Sequence, residues 1–116
     1  MDYASGYKVE GNDFAGSYTS WGGSTGISIS NSGAAENKIY RNTFSDLSTG
    51  IATNGMNSSG SNYTSSGLQF ICNAFNDNGI DIGALGSIRP SQGSLVAGAD
   101  NDFNNGNNII YYPLCI

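Results

Sequence analysis

The chain has 116 residues and a formal net charge of −5, from 4 Lys+Arg against 9 Asp+Glu, and it has no histidine. Only 11% of its residues are charged, against about 25% in an ordinary domain, and Gly, Ser and Asn dominate; these residues lose backbone entropy in helices or divert hydrogen bonds to their own side chains, so strands and turns are expected. The length allows one domain, no apolar run approaches the ~18 residues of a membrane-spanning helix, and four scattered cations exclude an electrostatic nucleic-acid binder.

In chain order, Met1-Asp2-Tyr3 opens without the basic and apolar regions of a signal peptide, which points to a cytosolic protein or to part of something longer. The first predicted strand, Tyr7-Lys8-Val9-Glu10, runs into Asn12-Asp13-Phe14, and an insertion over 15–25 separates it from Gly26-Ile27-Ser28-Ile29, which alternates with period two. A second unit starts near 37 with Lys38-Ile39-Tyr40-Arg41, then Asn42-Thr43-Phe44 and Gly50-Ile51-Ala52. The polar insertion over 54–66 that follows reads as a mobile surface loop, although Asn57-Ser58-Ser59 and Asn62-Tyr63-Thr64 both match the glycosylation acceptor pattern. A third unit starts near 67 with Leu68-Gln69-Phe70-Ile71-Cys72, Asn73-Ala74-Phe75 and Gly79-Ile80-Asp81-Ile82, and ends in an insertion over 84–94. The fourth starts near 95 with Leu95-Val96-Ala97, then Asn101-Asp102-Phe103 and a looser Gly106-Asn107-Asn108-Ile109-Ile110, before an apolar tail over 111–116.

Asn-x-Phe therefore recurs at spacings of 30, 31 and 28 residues, and four of the five phenylalanines fall in register. A two-strand unit of this size has one row of apolar side chains and buries it only against the next unit. Stacked as parallel strands about 4.8 Å apart, the units would align Phe14, Phe44, Phe75 and Phe103 in one ladder and Ile27, Ile51, Ile80 and Ile109 in another. Asn12, Asn42, Asn73 and Asn101 would then sit at corners, where Asn tolerates an uncommon backbone conformation and its amide can bond along the stack. Glycine before isoleucine would provide the next corner.

The pattern of apolar strand, Asn-x-Phe and Gly-Ile, from Tyr7 to Tyr112, resembles the right-handed parallel β-helix repeat. The stretch Gly67-Leu68-Gln69-Phe70-Ile71-Cys72-Asn73, with Gly86-Ser87-Ile88-Arg89, Gln92-Gly93-Ser94 and Ala99-Asp100-Asn101, further resembles segments of large secreted surface proteins of flavobacterial-type bacteria, which carry a C-terminal sorting domain. The resemblance implies an all-β solenoid of about four coils, a secreted or cell-surface location, and contacts with polysaccharide or cell-surface glycan. An exposed coil at either end would imply end-to-end contact with further coils of a parent chain; a terminus folded over the last coil is the alternative.

Tyr18, Trp21 and Tyr63 could form a platform for sugar rings, or Trp21 could fold over the apolar coil. Glycosidic hydrolysis needs two carboxyl groups. Asp46 and Asp77 each lie four residues after a ladder Asn, and Asp81 follows with outward alternation, so these three are the available catalytic or weak calcium-binding group. Acidic residues at loop starts are usually solvated turn formers, and these three read first as that. The absence of histidine rules out Ser-His-Asp and Cys-His nucleophiles, and Cys72 and Cys115 form no zinc motif. No cofactor is called for. Cys72, beside Phe70 and Ile71, reads as a small buried hydrophobe, with a disulfide the alternative. The expected function is a noncatalytic, adhesin-like or carbohydrate-contacting scaffold. The competing expectation is a polysaccharide lyase or glycoside hydrolase of the β-helix class, with Arg89 as a weak candidate base.

Overall fold

The computed structural model describes residues 1–17, 23–59, 66–93 and 98–104. Ten strands run in order: β1 (Lys8–Glu10), β2 (Asp13–Ala15), β3 (Thr25–Ser30), β4 (Asn37–Tyr40), β5 (Thr43–Ser45), β6 (Thr49–Asn54), β7 (Leu68–Ile71), β8 (Ala74–Asn76), β9 (Ile80–Ala84) and β10 (Asp102–Asn104). The fold is all-β, and every strand pairing is parallel. From β1 to β9 successive strands go to three sheets in rotation, and β10 joins the second, giving orders β1-β4-β7, β2-β5-β8-β10 and β3-β6-β9. Each short strand buries little surface alone, so the apolar residues gain a core only where repeats stack.

Repeat spacing sets the register. Phe14, Phe44, Phe75 and Phe103 are successive partners across β2, β5, β8 and β10. Their rings are nearly parallel, with centroids 5.0, 5.1 and 5.2 Å apart. The inner two are fully buried, together with Ile29, Ile39, Ile51 and Leu68. This core lies between the three sheets, and Tyr7, Val9, Phe14, Ile82 and Ile88 pack against it.

The isoleucine ladder departs from expectation. Ile27 pairs with Ile51, but Ile51 pairs with Ile82, while Ile80 faces Thr49 and is 53% exposed. Position relative to the ladder Asn decides this: Ile51 and Ile82 each lie nine residues after Asn42 and Asn73, whereas the Gly79-Ile80 pair is out of phase. Ile109 lies outside the described residues. Gly26 and Gly50 are needed because the neighbouring repeat passes so close: a Cβ at Gly50 would lie 2.7 Å from the Asp81 carbonyl oxygen and 3.1 Å from the Phe75 ring.

The corner asparagines also differ from expectation. The left-handed residue is the one before each of them: Gly11, Arg41, Cys72 and Asp100 have φ of 69°, 54°, 59° and 49°. The ladder Asn itself is kept for hydrogen bonding. The amide oxygen of Asn42 accepts from the backbone N–H and side-chain amide of Asn12 at 3.0 and 3.1 Å. Asn73 accepts in the same way from Asn42, and Asn101 from Asn73. Each amide nitrogen also donates to a carbonyl of the preceding repeat: Asn42 to Val9, Asn73 to Ile39 and Asn101 to Phe70. Asn42 and Asn73 are buried with both ends of the amide paired, which removes a desolvation penalty of about 1–3 kcal/mol per unmet group.

Two further expectations are corrected. The stretch over 54–66 is not wholly a surface loop, because Asn57 and Ser58 are buried. The Asn57 amide accepts from the backbone and hydroxyl of Ser32 at 3.0 and 2.9 Å and donates to the Asn54 carbonyl at 2.9 Å. That enclosure leaves no room for a glycan on Asn57; Asn62 lies outside the described residues. Cys72 is disulfide-bonded and half-buried, and is not the free buried thiol expected.

Two sheet edges are covered by local devices. Residues Met1 to Tyr3 run along β3, with Tyr3 N–H donating to Ser30 and Ser30 N–H to Met1. Alongside β7, the Gln92 amide accepts from Phe70 N–H at 2.8 Å and donates to the Leu68 carbonyl at 3.1 Å. Unpaired edges invite association, and both devices satisfy backbone groups of the strands they border.

Candidate functional site

The acidic trio separates into two roles. Asp46 and Asp77 occupy one corner in consecutive repeats, both exposed and both left-handed, with φ of 54° and 53°. Asp is among the few residues that tolerate this conformation, so each forms the turn that ends β5 or β8. Beside them, the Asn78 amide stacks its repeat on the previous one by accepting from Leu47 N–H at 3.0 Å and donating to the Phe44 carbonyl at 3.0 Å. Asp81 is half-buried, and its carboxylate accepts from Asn78 at 3.1 Å. Ile80, not Asp81, is exposed on this strand, together with Ala84 at its end, the reverse of the alternation expected. Among the described residues no group of three or more His, Cys, Asp or Glu side chains is placed to hold a metal ion.

Tyr18, Trp21 and Tyr63, the expected sugar platform, lie outside the described residues. Arg89 is held against the protein: its backbone N–H donates to the Leu68 carbonyl at 3.2 Å and its guanidinium pairs with Glu36 at 3.5 Å. It neighbours β7, on a different side from Asp46 and Asp77.

The structure assembles a cluster that the sequence conceals. On the outward side of the β1-β4-β7 sheet, Lys8 and Lys38 are register partners, as are Glu10 and Tyr40. The Lys8 ammonium lies 5.7 Å from the Tyr40 ring centre, and the Arg41 guanidinium lies 5.1 Å from it. Lys8 also pairs with Glu10 at 2.6 Å, both side chains being well exposed. Lys8 and Tyr40 are 32 positions apart and adjacent only because the repeats stack, so no local motif announces them. On the inner side of the same sheet the Tyr7 hydroxyl is buried without a well-formed hydrogen bond, and burial pushes its pKa up, with neighbouring Ser32 offsetting part of that shift.

No family model, no curated protein and no solved structure matches this chain. Among the described residues no helix is long and apolar enough to cross a membrane.

Proposed function

We propose that the chain is a noncatalytic, adhesin-like segment of a secreted or cell-surface protein, built as a right-handed parallel β-helix whose outer faces contact glycans. The strands' rotation through three parallel sheets supports the solenoid. One observation carries the functional reading: the side chains best suited to chemistry serve the stack. The four ladder asparagines are bonded to one another and to backbone carbonyls. Asp46 and Asp77, the carboxylates nearest to a catalytic pair, are left-handed turn residues. A stack of this kind offers flat, rigid, repeating outer faces, which suits extended polymers better than small molecules.

The test pairs binding with activity. The purified chain is expected to be retained on at least one immobilised polysaccharide of a panel spanning neutral and acidic polymers. It is expected to release neither reducing sugar nor unsaturated uronate from any of them, with or without calcium. Reproducible depolymerisation, abolished by Asp77→Asn or Asp46→Asn, would establish the enzyme reading instead.

A further inference from the structure

Asparagine is followed directly by glycine at Asn54-Gly55, Asn78-Gly79 and Asn105-Gly106. Such a pair carries both partners of a covalent reaction. The side-chain amide carbon is an electrophile, and the next backbone nitrogen, unshielded because glycine has no Cβ, is a nucleophile that can close a five-membered imide on it. Asn105 and Gly106 lie outside the described residues, and the fold treats the other two pairs in opposite ways.

Asn78 is held at every reacting atom. Its amide oxygen accepts from Leu47 N–H at 3.0 Å, and its amide nitrogen donates to the Phe44 carbonyl at 3.0 Å and to the Asp81 carboxylate at 3.1 Å. Gly79 N–H, the nucleophile, donates to the Leu47 carbonyl at 2.8 Å. Ring closure there requires all of these bonds to open together.

Asn54, the last residue of β6, is exposed. Among the described residues its amide oxygen accepts only from Gly55 N–H, at 2.8 Å, and its amide nitrogen has no protein partner. That contact holds the Gly55 nitrogen beside the Asn54 amide carbon, which supplies the proximity an intramolecular reaction needs. The main-chain carbonyls of the pair are tied into the stack instead. The Asn54 carbonyl accepts from Asn31 N–H at 3.2 Å and from the Asn57 amide at 2.9 Å, and the Gly55 carbonyl accepts from Ser87 N–H at 3.0 Å.

We infer that Asn54-Gly55 is a site of spontaneous covalent modification, converting through a succinimide to aspartate and isoaspartate and loosening its corner, while the fold protects Asn78-Gly79. The Gly55 nitrogen gives its proton to hydroxide and bonds to Asn54 Cγ. The Cγ–Nδ2 bond then breaks, and Nδ2 leaves as ammonia with a proton from water, which restores the hydroxide. Water next opens the imide. Breaking the new Cγ–N bond gives aspartate; breaking the bond from nitrogen to the Asn54 main-chain carbonyl carbon gives isoaspartate, whose main chain is one methylene longer. In isoaspartate that carbonyl, the acceptor for Asn31 and Asn57, becomes a free carboxylate, so the corner leading to buried Asn57 must rearrange.

The experiment incubates the full chain in mildly alkaline buffer, folded and in urea, and follows each pair by peptide mass spectrometry, which reads the replacement of NH2 by OH and, by fragmentation, isoaspartate. In urea the two pairs are expected to convert at similar rates, because their reacting groups are identical. In the folded chain Asn54 is expected to convert about tenfold or more faster than Asn78, whose hydrogen bonds must first be lost. The incubated wild type is expected to melt at a lower temperature than fresh protein. Asn54→Ser, which copies the register partner Ser30, is expected to keep its melting temperature through the same incubation. Equal conversion of Asn54 and Asn78 in the folded chain, or slower conversion of Asn54, overturns the inference without any variant being needed. Isoaspartate at position 54 with an unchanged melting temperature overturns the loosening of the corner.

Discussion

Replacing Phe44 with alanine removes one of the two inner rings of the aromatic ladder. Phe44 is fully buried and has a ring on each side, 5.0 Å from Phe14 and 5.1 Å from Phe75. Truncating a buried Phe costs about 3–5 kcal/mol in transfer and cavity terms, and two stacked pairs place this site toward the upper end. Phe103 offers an internal control, being 53% exposed and stacked on Phe75 at one side, so Phe103→Ala should cost roughly 1 kcal/mol. In a domain of this size the Phe44 loss corresponds to a fall of roughly 10–20 °C in melting temperature. Thermal and urea unfolding followed by circular dichroism measure both variants. Equal, small losses at the two positions would refute the buried ladder.

Asn73→Ala deletes the acceptor for Asn42 and the donor to Ile39, leaving buried backbone groups unmet; a loss above about 3 kcal/mol in urea unfolding is expected, and a loss under 1 kcal/mol would show that the ladder is not closed. For Tyr7 the raised pKa fixes the sign of a pH effect. The native state holds the phenolic proton more tightly than the unfolded chain, so this stability is intact below about pH 10, the unfolded value, and is lost as pH rises through the native pKa. Tyr7→Phe should be neutral or stabilising at pH 7 and should flatten the fall in melting temperature above pH 10, an effect that a wild-type-like profile would disprove. Cys72→Ser should lower stability by about 2–4 kcal/mol, and dithiothreitol should bring the wild type down to the variant's melting temperature while leaving the variant unchanged.

Much of the architecture is legible in the sequence because the Asn-x-Phe repeat carries register directly, and residues at equal offsets from the ladder Asn become neighbours. Ile80 shows where a local motif misleads. Gly79-Ile80 copies Gly50-Ile51 in composition but sits two positions early, and counting from Asn73 selects Ile82. Asn57 was hidden for a different reason, since in an Asn- and Ser-rich stretch nothing local distinguishes a buried, fully bonded amide from its solvated neighbours. The Tyr40 cluster is long-range altogether, as outward side chains leave no hydrophobic periodicity and meet only after stacking. The turn-forming role of Asp46 and Asp77 was legible in the sequence, whereas the left-handed backbone there and the bond from Asn78 to Asp81 are properties of the folded corner.

The central claim is that equivalent residues of successive repeats stack in parallel register, and ring-to-ring contacts test it most directly. With phenylalanine-selective labelling, nuclear Overhauser effects are expected between Phe14 and Phe44, Phe44 and Phe75, and Phe75 and Phe103, whose centroids lie 5.0–5.2 Å apart, and none between Phe14 and Phe75. Absence of the Phe14–Phe44 and Phe44–Phe75 effects in the folded chain, or a direct effect between Phe14 and Phe75, would contradict it.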